Sequence, residues 1–450
     1  MHKTILMAVL ILLLGILPLV GQELYNSISL QEARDLALAN NPEYQAALAR
    51  LSAAKWNQTN ALSAMLPGLS LSGTLLYMDP ATTVNSGSQQ ITLNKDQRSM
   101  ALNLSQPLFV GGKLYQAYRI SKSSYELAEI NLHSEAMQMA IDVESKYYAV
   151  LQLMDAHQIA LSEQVQAGKN LELAELKLES GLISRADYLR FQVSKNNKDL
   201  AVLQSETAMQ LALKDFNNFL GNQSPVMPSA LELQIEQAEP FSELSAEDIQ
   251  SLSDQAIAAA LKANPGIMSL DKSLELSHRA EKIAKGSFLP TLMLTGSRQY
   301  KENGLDRYEF EASNQIMLNL SIPLLPQVGN YAAMKKAYFD ARQQEFQADT
   351  AKEGIALGVE SSAINLVSSA RQVQSARLSL DITQDMYDQL LERFRLNMLS
   401  PMELMDAELM LSASKMAYNN AFYNFFKARL SLLAAMGTDD YTALNALLDK

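Results

Sequence analysis

Leu66-Pro67-Gly68-Leu69-Ser70-Leu71-Ser72-Gly73 reads as the start of a β-strand. The chain writes it a second time, 223 residues later, as Leu289-Pro290-Thr291-Leu292-Met293-Leu294-Thr295-Gly296. In both copies leucines alternate with small polar residues, the period-2 pattern of a strand with one greasy face. The same offset relates Asn41-Pro42 to Asn264-Pro265. It becomes 216 between Leu102-Asn103-Leu104-Ser105 and Leu318-Asn319-Leu320-Ser321, and between Pro107-Leu108 and Pro323-Leu324. It stays 216 from Gly181-Leu182-Ile183-Ser184 to Asn397-Met398-Leu399-Ser400, and from Gly221 to Gly437. One architecture is therefore built twice, with a single seven-residue length change between positions 73 and 102, where a loop absorbs it.

Working outward from the strands, each half reads helix, helix, strand, strand, very long helix, helix. Apolar periodicity of about 3.6 runs from Leu30 to Met65 and again from Ile249 to Ser287, broken at each Asn-Pro, where proline ends one helix and opens the next. The strands fall at about 67–79, 97–108, 290–300 and 308–323. Pro67, Pro107, Pro290 and Pro323 are expected where helix meets strand. The first hairpin loop, 79–97, is long and polar; the second, 301–307, is short. Each strand pair precedes a helix of exceptional length, about 113–180 and 331–396, rich in Ala, Leu, Gln and Glu. At 1.5 Å per residue either would be on the order of 100 Å long. The organisation expected is a first repeat over 22–221, an inter-repeat linker or equatorial segment over 222–247, a second repeat over 248–437 and a short tail over 438–450.

The chain opens Met1-His2-Lys3 with an apolar run from Ile5 to Val20 and a small residue, Gly21. This reads as a secretory signal peptide over 1–21, short for a retained anchor. No later run is apolar for long enough to be a transmembrane helix. There is no cysteine, so neither a disulfide nor a lipidated cysteine is available. The net charge of −12, with no basic patch, argues against nucleic acid. The four histidines are scattered, no nucleophile–base pair or phosphate loop is visible, and no catalytic residue, metal site or cofactor is expected.

The strands pose a problem. Their alternation suits a surface that is apolar outside and polar inside, as in a transmembrane barrel. Four strands cannot close one, since known barrels begin near eight, and lipid tolerates no open edge. Several chains must then share one barrel. The alternative is a non-conducting periplasmic coiled-coil protein, against which the lipid-suited strands weigh.

In these features the chain resembles the TolC-like outer-membrane factor family. The resemblance rests on the doubled layout, on Leu38-Ala39-Asn40-Asn41-Pro42, on Leu66-Pro67 and Leu289-Pro290, on Gln106-Pro107-Leu108-Phe109-Val110-Gly111-Gly112, and on the turn from Gly181 through Leu189. It implies a mainly α fold with a small β part. It also implies a homotrimer whose twelve strands form one outer-membrane barrel, joined to a helical barrel in the periplasm of a Gram-negative bacterium. The function implied is a passive exit duct of a tripartite export system, for small-molecule efflux or for type I protein secretion. The partners implied are a periplasmic adaptor, an inner-membrane RND or ABC pump, and outer-membrane lipid.

The resemblance also assigns residues. The turns Gly181, Leu182, Ile183, Ser184 and Asn397, Met398, Leu399, Ser400 would lie at the periplasmic entrance and dock the adaptor. Glycine, and asparagine after it, best tolerate a left-handed turn, and Ser184 and Ser400 are natural N-caps, so turn structure alone also accounts for them. Glu403 and Asp406, three apart on one helix face, match positions that form acidic pore rings; a solvated helix face is the plainer reading. Asp187 matches a position in the network that closes the entrance. Its tyrosine partner corresponds here to Phe394, which lacks a hydroxyl, and an expected arginine to Leu399. Arg185 and Arg395 are the candidate substitutes. Met398, Met402, Met405 and Met410 read as helix-interface filling rather than soft-metal ligands. Tyr77, Phe109, Tyr300, Tyr308 and Phe310 could form interfacial girdles, or simply follow β-propensity.

Overall fold

The computed structural model describes residues 26–448, apart from 88, 223, 232, 303–308 and 326. The signal peptide read at 1–21 and Tyr308 lie outside the described residues. The first repeat comprises β1 (Asn26–Ile28), α1 (Leu30–Asn40), α2 (Pro42–Ser63), β2 (Gly68–Tyr77), β3 (Thr83–Ser86), β4 (Gln89–Thr92), β5 (Asp96–Val110), α3 (Lys113–Glu179) and α4 (Arg185–Leu220). Next come β6 (Val226–Pro228), a 3-10 turn over Ile235–Ala238 and α5 (Glu239–Ser242). The second repeat comprises α6 (Ala246–Ala263), α7 (Pro265–Lys285), β7 (Thr291–Glu302), β8 (Phe310–Ser321), α8 (Val328–Arg395) and α9 (Pro401–Met436); α10 (Tyr441–Ala446) follows.

Three elements depart from what the periodicity predicts. The polar stretch 79–97 is not a plain loop, since β3 and β4 pair within it as an antiparallel hairpin. Pro107 lies inside β5, at a register shift between Pro107 and Phe109, rather than at a helix–strand junction. A bulge is where a strand can spare the missing N–H. The stretch 222–247 is built into the fold: β6 pairs in parallel with β1, and Val226, Ala238 and Phe241 are buried.

The Asn-Pro repeat has a structural cause. Asn41 caps α2 by accepting from the Glu43 N–H at 2.8 Å, and its amide donates to the Phe219 carbonyl at 2.8 Å. Asn264 caps α7 from the Gly266 N–H at 2.8 Å and donates to the Ala435 carbonyl at 2.9 Å. Each asparagine thus starts one helix and ties it to the far end of another. Beside it the chain passes at Gly221 (φ 64°) and Gly437 (φ 80°). A Cβ at Gly437 would lie 2.7 Å from the Asn264 Cα, and one at Gly221 would lie 2.8 Å from the Asn40 carbonyl oxygen. Left-handed backbone and close approach together leave room only for glycine.

The core lies midway along the long helices, where α1, α4, α6, α9 and α10 surround α3 and α8. Tyr147, Phe216, Leu366, Phe425, Phe426, Leu432 and Leu433 are buried there. The Tyr147 hydroxyl donates to the carbonyl oxygens of Ile28 at 3.0 Å and Ser229 at 2.8 Å, anchoring β1 and the inter-repeat segment. No helix among the described residues is long and apolar enough to cross a membrane.

At one end β2, β5, β7 and β8 form a single antiparallel sheet in that order. The central pair β5–β7 joins the repeats, and the outer edges of β2 and β8 have no strand partner among the described residues. Register aligns chemistry in two neighbouring rows that cross all four strands. Leu69, Leu104, Gly296 and Ile316 form one row, and Ser70, Asn103, Ser297 and Gln315 form the next. Adjacent rows point to opposite faces, so one row is greasy and its neighbour polar. Every residue of β2 and β8 is exposed in the single chain.

Candidate functional site

At the end away from the sheet, α3–α4 and α8–α9 each turn back in a hairpin. The two turns are built alike. Gly181 has φ 73°, and Asn397, at 62°, is the positive-φ residue other than glycine among the described residues. The Leu182 N–H bonds the Lys177 carbonyl and the Met398 N–H bonds the Arg393 carbonyl, both at 2.8 Å. These six-to-one bonds close Schellman-type helix ends.

The following helices open with matching capping boxes. Ser184 Oγ accepts from the Asp187 N–H at 3.1 Å and donates to Asp187 Oδ2 at 2.7 Å. Ser400 Oγ accepts from the Glu403 N–H at 3.4 Å and donates to Glu403 Oε2 at 2.8 Å. Bonds from the Ser400 side chain and backbone hold the Glu403 carboxyl below the usual range, so it stays charged. Glu403 and Asp406 are both exposed.

The candidate gate residues do not meet in one polar network. The Asp187 carboxylate is engaged in its own cap. Arg185 is exposed, and Arg395 pairs with Glu392 on its own helix at 2.5 Å. Phe394 is buried, with its ring centroid 5.7 Å from that of Phe191. Around this pair pack Ala174, Tyr387, Leu391, Leu404, Ala407 and Leu411, which fasten the two hairpins into one end-piece. Of the four methionines, Met405 packs on this cluster, while Met398, Met402 and Met410 are exposed in the single chain.

The residue that joins the tips is Lys177, which sequence reading passed over. Its side chain is buried near the end of α3. Nζ donates to Asn397 Oδ1, lies 3.4 Å from the Arg395 carbonyl oxygen, and sits 4.9 Å from the centre of the Phe394 ring. Burial holds this ammonium below the usual lysine range. The first hairpin thus grips the left-handed turn of the second. No sequence signal marks this lysine among the others on the helix; only the fold places it against a residue 220 positions away.

Higher up, Asn170 donates to the Tyr387 hydroxyl at 3.0 Å and to Glu408 Oε2 at 3.2 Å. Burial raises the Glu408 carboxyl. Lys198 donates to Glu163 at 2.8 Å and to Ser412 at 3.0 Å. A groove of about 560 Å³ runs between α4 and α9, lined by Leu189, Arg190, Val193, Lys198, Asp406 and Glu408 among others. Asp406 therefore faces the first hairpin as well as solvent.

A single-layer sheet with one lipid-suited face, standing on helices some 67 residues long that end in capped, packed tips, defines a membrane-anchored duct subunit that reaches away from the bilayer. The outer membrane efflux protein family model matches residues 33–222 and again 256–438, and the chain belongs to that family. The two matched stretches are offset by 223 at their starts and 216 at their ends, the same offsets that the sequence repeat shows. Outer membrane protein TolC of Salmonella enteritidis is 22% identical, over 96% of this chain and 88% of its own length. Alkaline protease secretion protein AprF of Pseudomonas aeruginosa is 21% identical, over 89% of this chain and 83% of its own. Among solved structures, the Campylobacter jejuni CmeC outer membrane channel superposes with a TM-score of 0.77 at 17% identity, covering 94% of this chain and 89% of that one. The protein is an outer-membrane exit duct that extends into the periplasm, and its family is one of transport proteins rather than enzymes.

Proposed function

We propose that three copies of this chain pool their sheets into one twelve-stranded outer-membrane barrel, and that the helical columns below it form a tunnel through the periplasm for small-molecule efflux. The observation that carries this reading is the four-stranded sheet with one greasy face and two edges that are open among the described residues. Lipid covers such a face but tolerates no open edge, so the sheet must close through further copies. The duct is passive. An inner-membrane RND or ABC pump supplies the energy, and a periplasmic adaptor docks at the tips 181–184 and 397–400. Glu403 and Asp406, repeated around a threefold axis, form acidic rings that favour cations. Asp187, Arg185, Phe394 and Arg395 border the entrance, and Lys177 holds its two halves together within each subunit.

A second reading, the exit of a type I protein secretion system, is favoured by the similarity to AprF over most of the chain. A photoreactive residue in place of Leu182 or Leu399, crosslinked in intact cells, separates the two. An adaptor that travels with a proton-driven pump supports efflux, and one that travels with an ABC transporter supports secretion. Capture of no adaptor at either tip, with the protein in the outer membrane, sinks the docking assignment.

A further inference from the structure

The internal repeat also dictates how one copy meets the next. Within the chain, the long helix α3 of the first repeat packs on the short helix α7 of the second. The corresponding side of α8 has no comparable neighbour among the described residues. Repeat equivalence is close: α3 and α8 end at Glu179 and Arg395, offset by 216, and α2 and α7 begin at Pro42 and Pro265, offset by 223.

Four contacts define the internal seam. Arg279 reaches Gln116 at 3.5 Å, Ser123 donates to Glu275 at 3.2 Å, Lys272 donates to Glu126 at 2.6 Å, and Ser269 donates to Asn131 at 3.0 Å. Carried to the joint between copies, the same register sets Trp56 against Ala332, Ser52 against Phe339, Ala49 against Arg342 and Ala46 against Gln347. Bulk is exchanged in each pair. Tryptophan replaces Arg279 where Gln116 shrinks to alanine, and phenylalanine replaces Ser123 where Glu275 shrinks to serine. A seam of polar contacts with one ion pair inside the chain becomes a seam outside it in which Trp56 and Phe339 each face a small residue.

Exposure marks the same face. Ser123 is 3% exposed but its equivalent Phe339 is 63% exposed; Ile141 is 5% exposed but its equivalent Leu357 is 66% exposed. Trp56 is 72% exposed. Arg342 already lies 5.1 Å over the Phe346 ring on this face. Phe339, Arg342 and Phe346 lie along one face of α8 and Trp56 stands on α2, and exposed tryptophan, phenylalanine and arginine are the residues that anchor protein interfaces.

We propose that Trp56 of each copy seats on Ala332 and Phe339 of the next, in the register that α3 and α7 use inside the chain. The occupant of the exposed α8 face is thereby a second copy of this chain, and the proposal rests on the shared-barrel reading above. Trp56 is the sole tryptophan, and the chain has no cysteine, so both probes are unambiguous. In the detergent-purified full chain, Trp56 emission should shift to the blue on assembly, with a several-fold loss of acrylamide quenching relative to dissociated protein. In a second measurement, Ala46→Cys combined with Gln347→Cys should give dimers and closed trimers on oxidation. Ala46→Cys combined with Asp340→Cys, about two turns off register, should not. Trimers with a freely quenched Trp56, or with the offset pair crosslinking preferentially, overturn the seating and leave the shared barrel standing. A chain that stays monomeric when correctly inserted overturns the shared barrel and the seating with it.

Discussion

At the scale of single residues, Asn397 does two jobs that substitution can separate. Its backbone is left-handed at φ 62°, and its side chain accepts from the buried Lys177. Asn397→Gly keeps the turn and removes the acceptor, so the fold should persist while the tips loosen, seen as more frequent opening in bilayer recordings. Asn397→Ala loses the acceptor and strains the turn as well, and should lower stability by about 1–2 kcal/mol in thermal unfolding. An Asn397→Gly variant that opens no more often than the parent would mean that the Lys177 contact does nothing for the entrance. Glu403 is similarly double, a cap for α9 and a charge at the tip. Replacing it removes one half of the capping box. Glu403→Ala combined with Asp406→Ala should also weaken cation selectivity, measured as the reversal potential in a salt gradient. An unchanged potential removes the ring assignment. The turn residues were legible in the sequence because glycine, asparagine and serine report local backbone needs. Lys177 and the Phe191–Phe394 pair were not, because a lysine or phenylalanine on a long helix acquires meaning only from what the fold brings beside it.

At the scale of elements, the doubled order of helices and strands followed from periodicity and from the Asn-Pro and Leu-Pro punctuation, which report local geometry directly. The β3–β4 hairpin inside 79–97 and the pairing of β6 with β1 did not follow. Both are short, polar or mixed segments whose pairing depends on distant partners rather than on their own pattern. The seam between α3 and α7 is likewise tertiary, and it carries a pH signature. Glu275 accepts from Arg279 at 2.6 Å, from Lys272 at 3.1 Å and from Ser123 at 3.2 Å. The bond from Arg279 is the main cause that lowers its pKa from 4.5 to about 2. A carboxyl lowered on folding stabilises the native state above its unfolded pKa, and the contribution is lost as pH falls from 4.5 towards 2. With the side chain a third exposed, screening leaves on the order of 1–2 kcal/mol. Glu275→Gln should therefore destabilise at neutral pH by about that amount, and the difference from the parent should vanish near pH 2. A difference that holds constant across that range would assign the loss to packing instead of charge.

At the scale of the whole molecule, the chain solves two solvent problems with one sequence. The helical part buries a conventional core and shows water its charges, while the sheet leaves both faces uncovered and depends on its surroundings to cover one of them. Large exposed apolar faces are rare on chains that stay in water, so the sheet face is a statement about the medium. Neighbouring residues test it cleanly. Ile316 lies in the greasy row with Leu69 and Leu104, and Gln315 lies in the polar row with Ser70 and Asn103. Both are exposed in the single chain, so burial in the protomer cannot distinguish them. In a barrel, Ile316→Arg puts a charge against hydrocarbon at a cost of about 2–4 kcal/mol near the midplane, whereas Gln315→Arg puts the same charge against the lumen at little cost. Folding into lipid vesicles, followed by the heat-dependent mobility shift of barrel proteins, should fall sharply for Ile316→Arg and stay near the parent level for Gln315→Arg. The second variant should instead change ionic selectivity, since its side chain lines the path. Equal folding of the two variants would mean that the greasy row does not face lipid, and the closed barrel would lose the face that requires it.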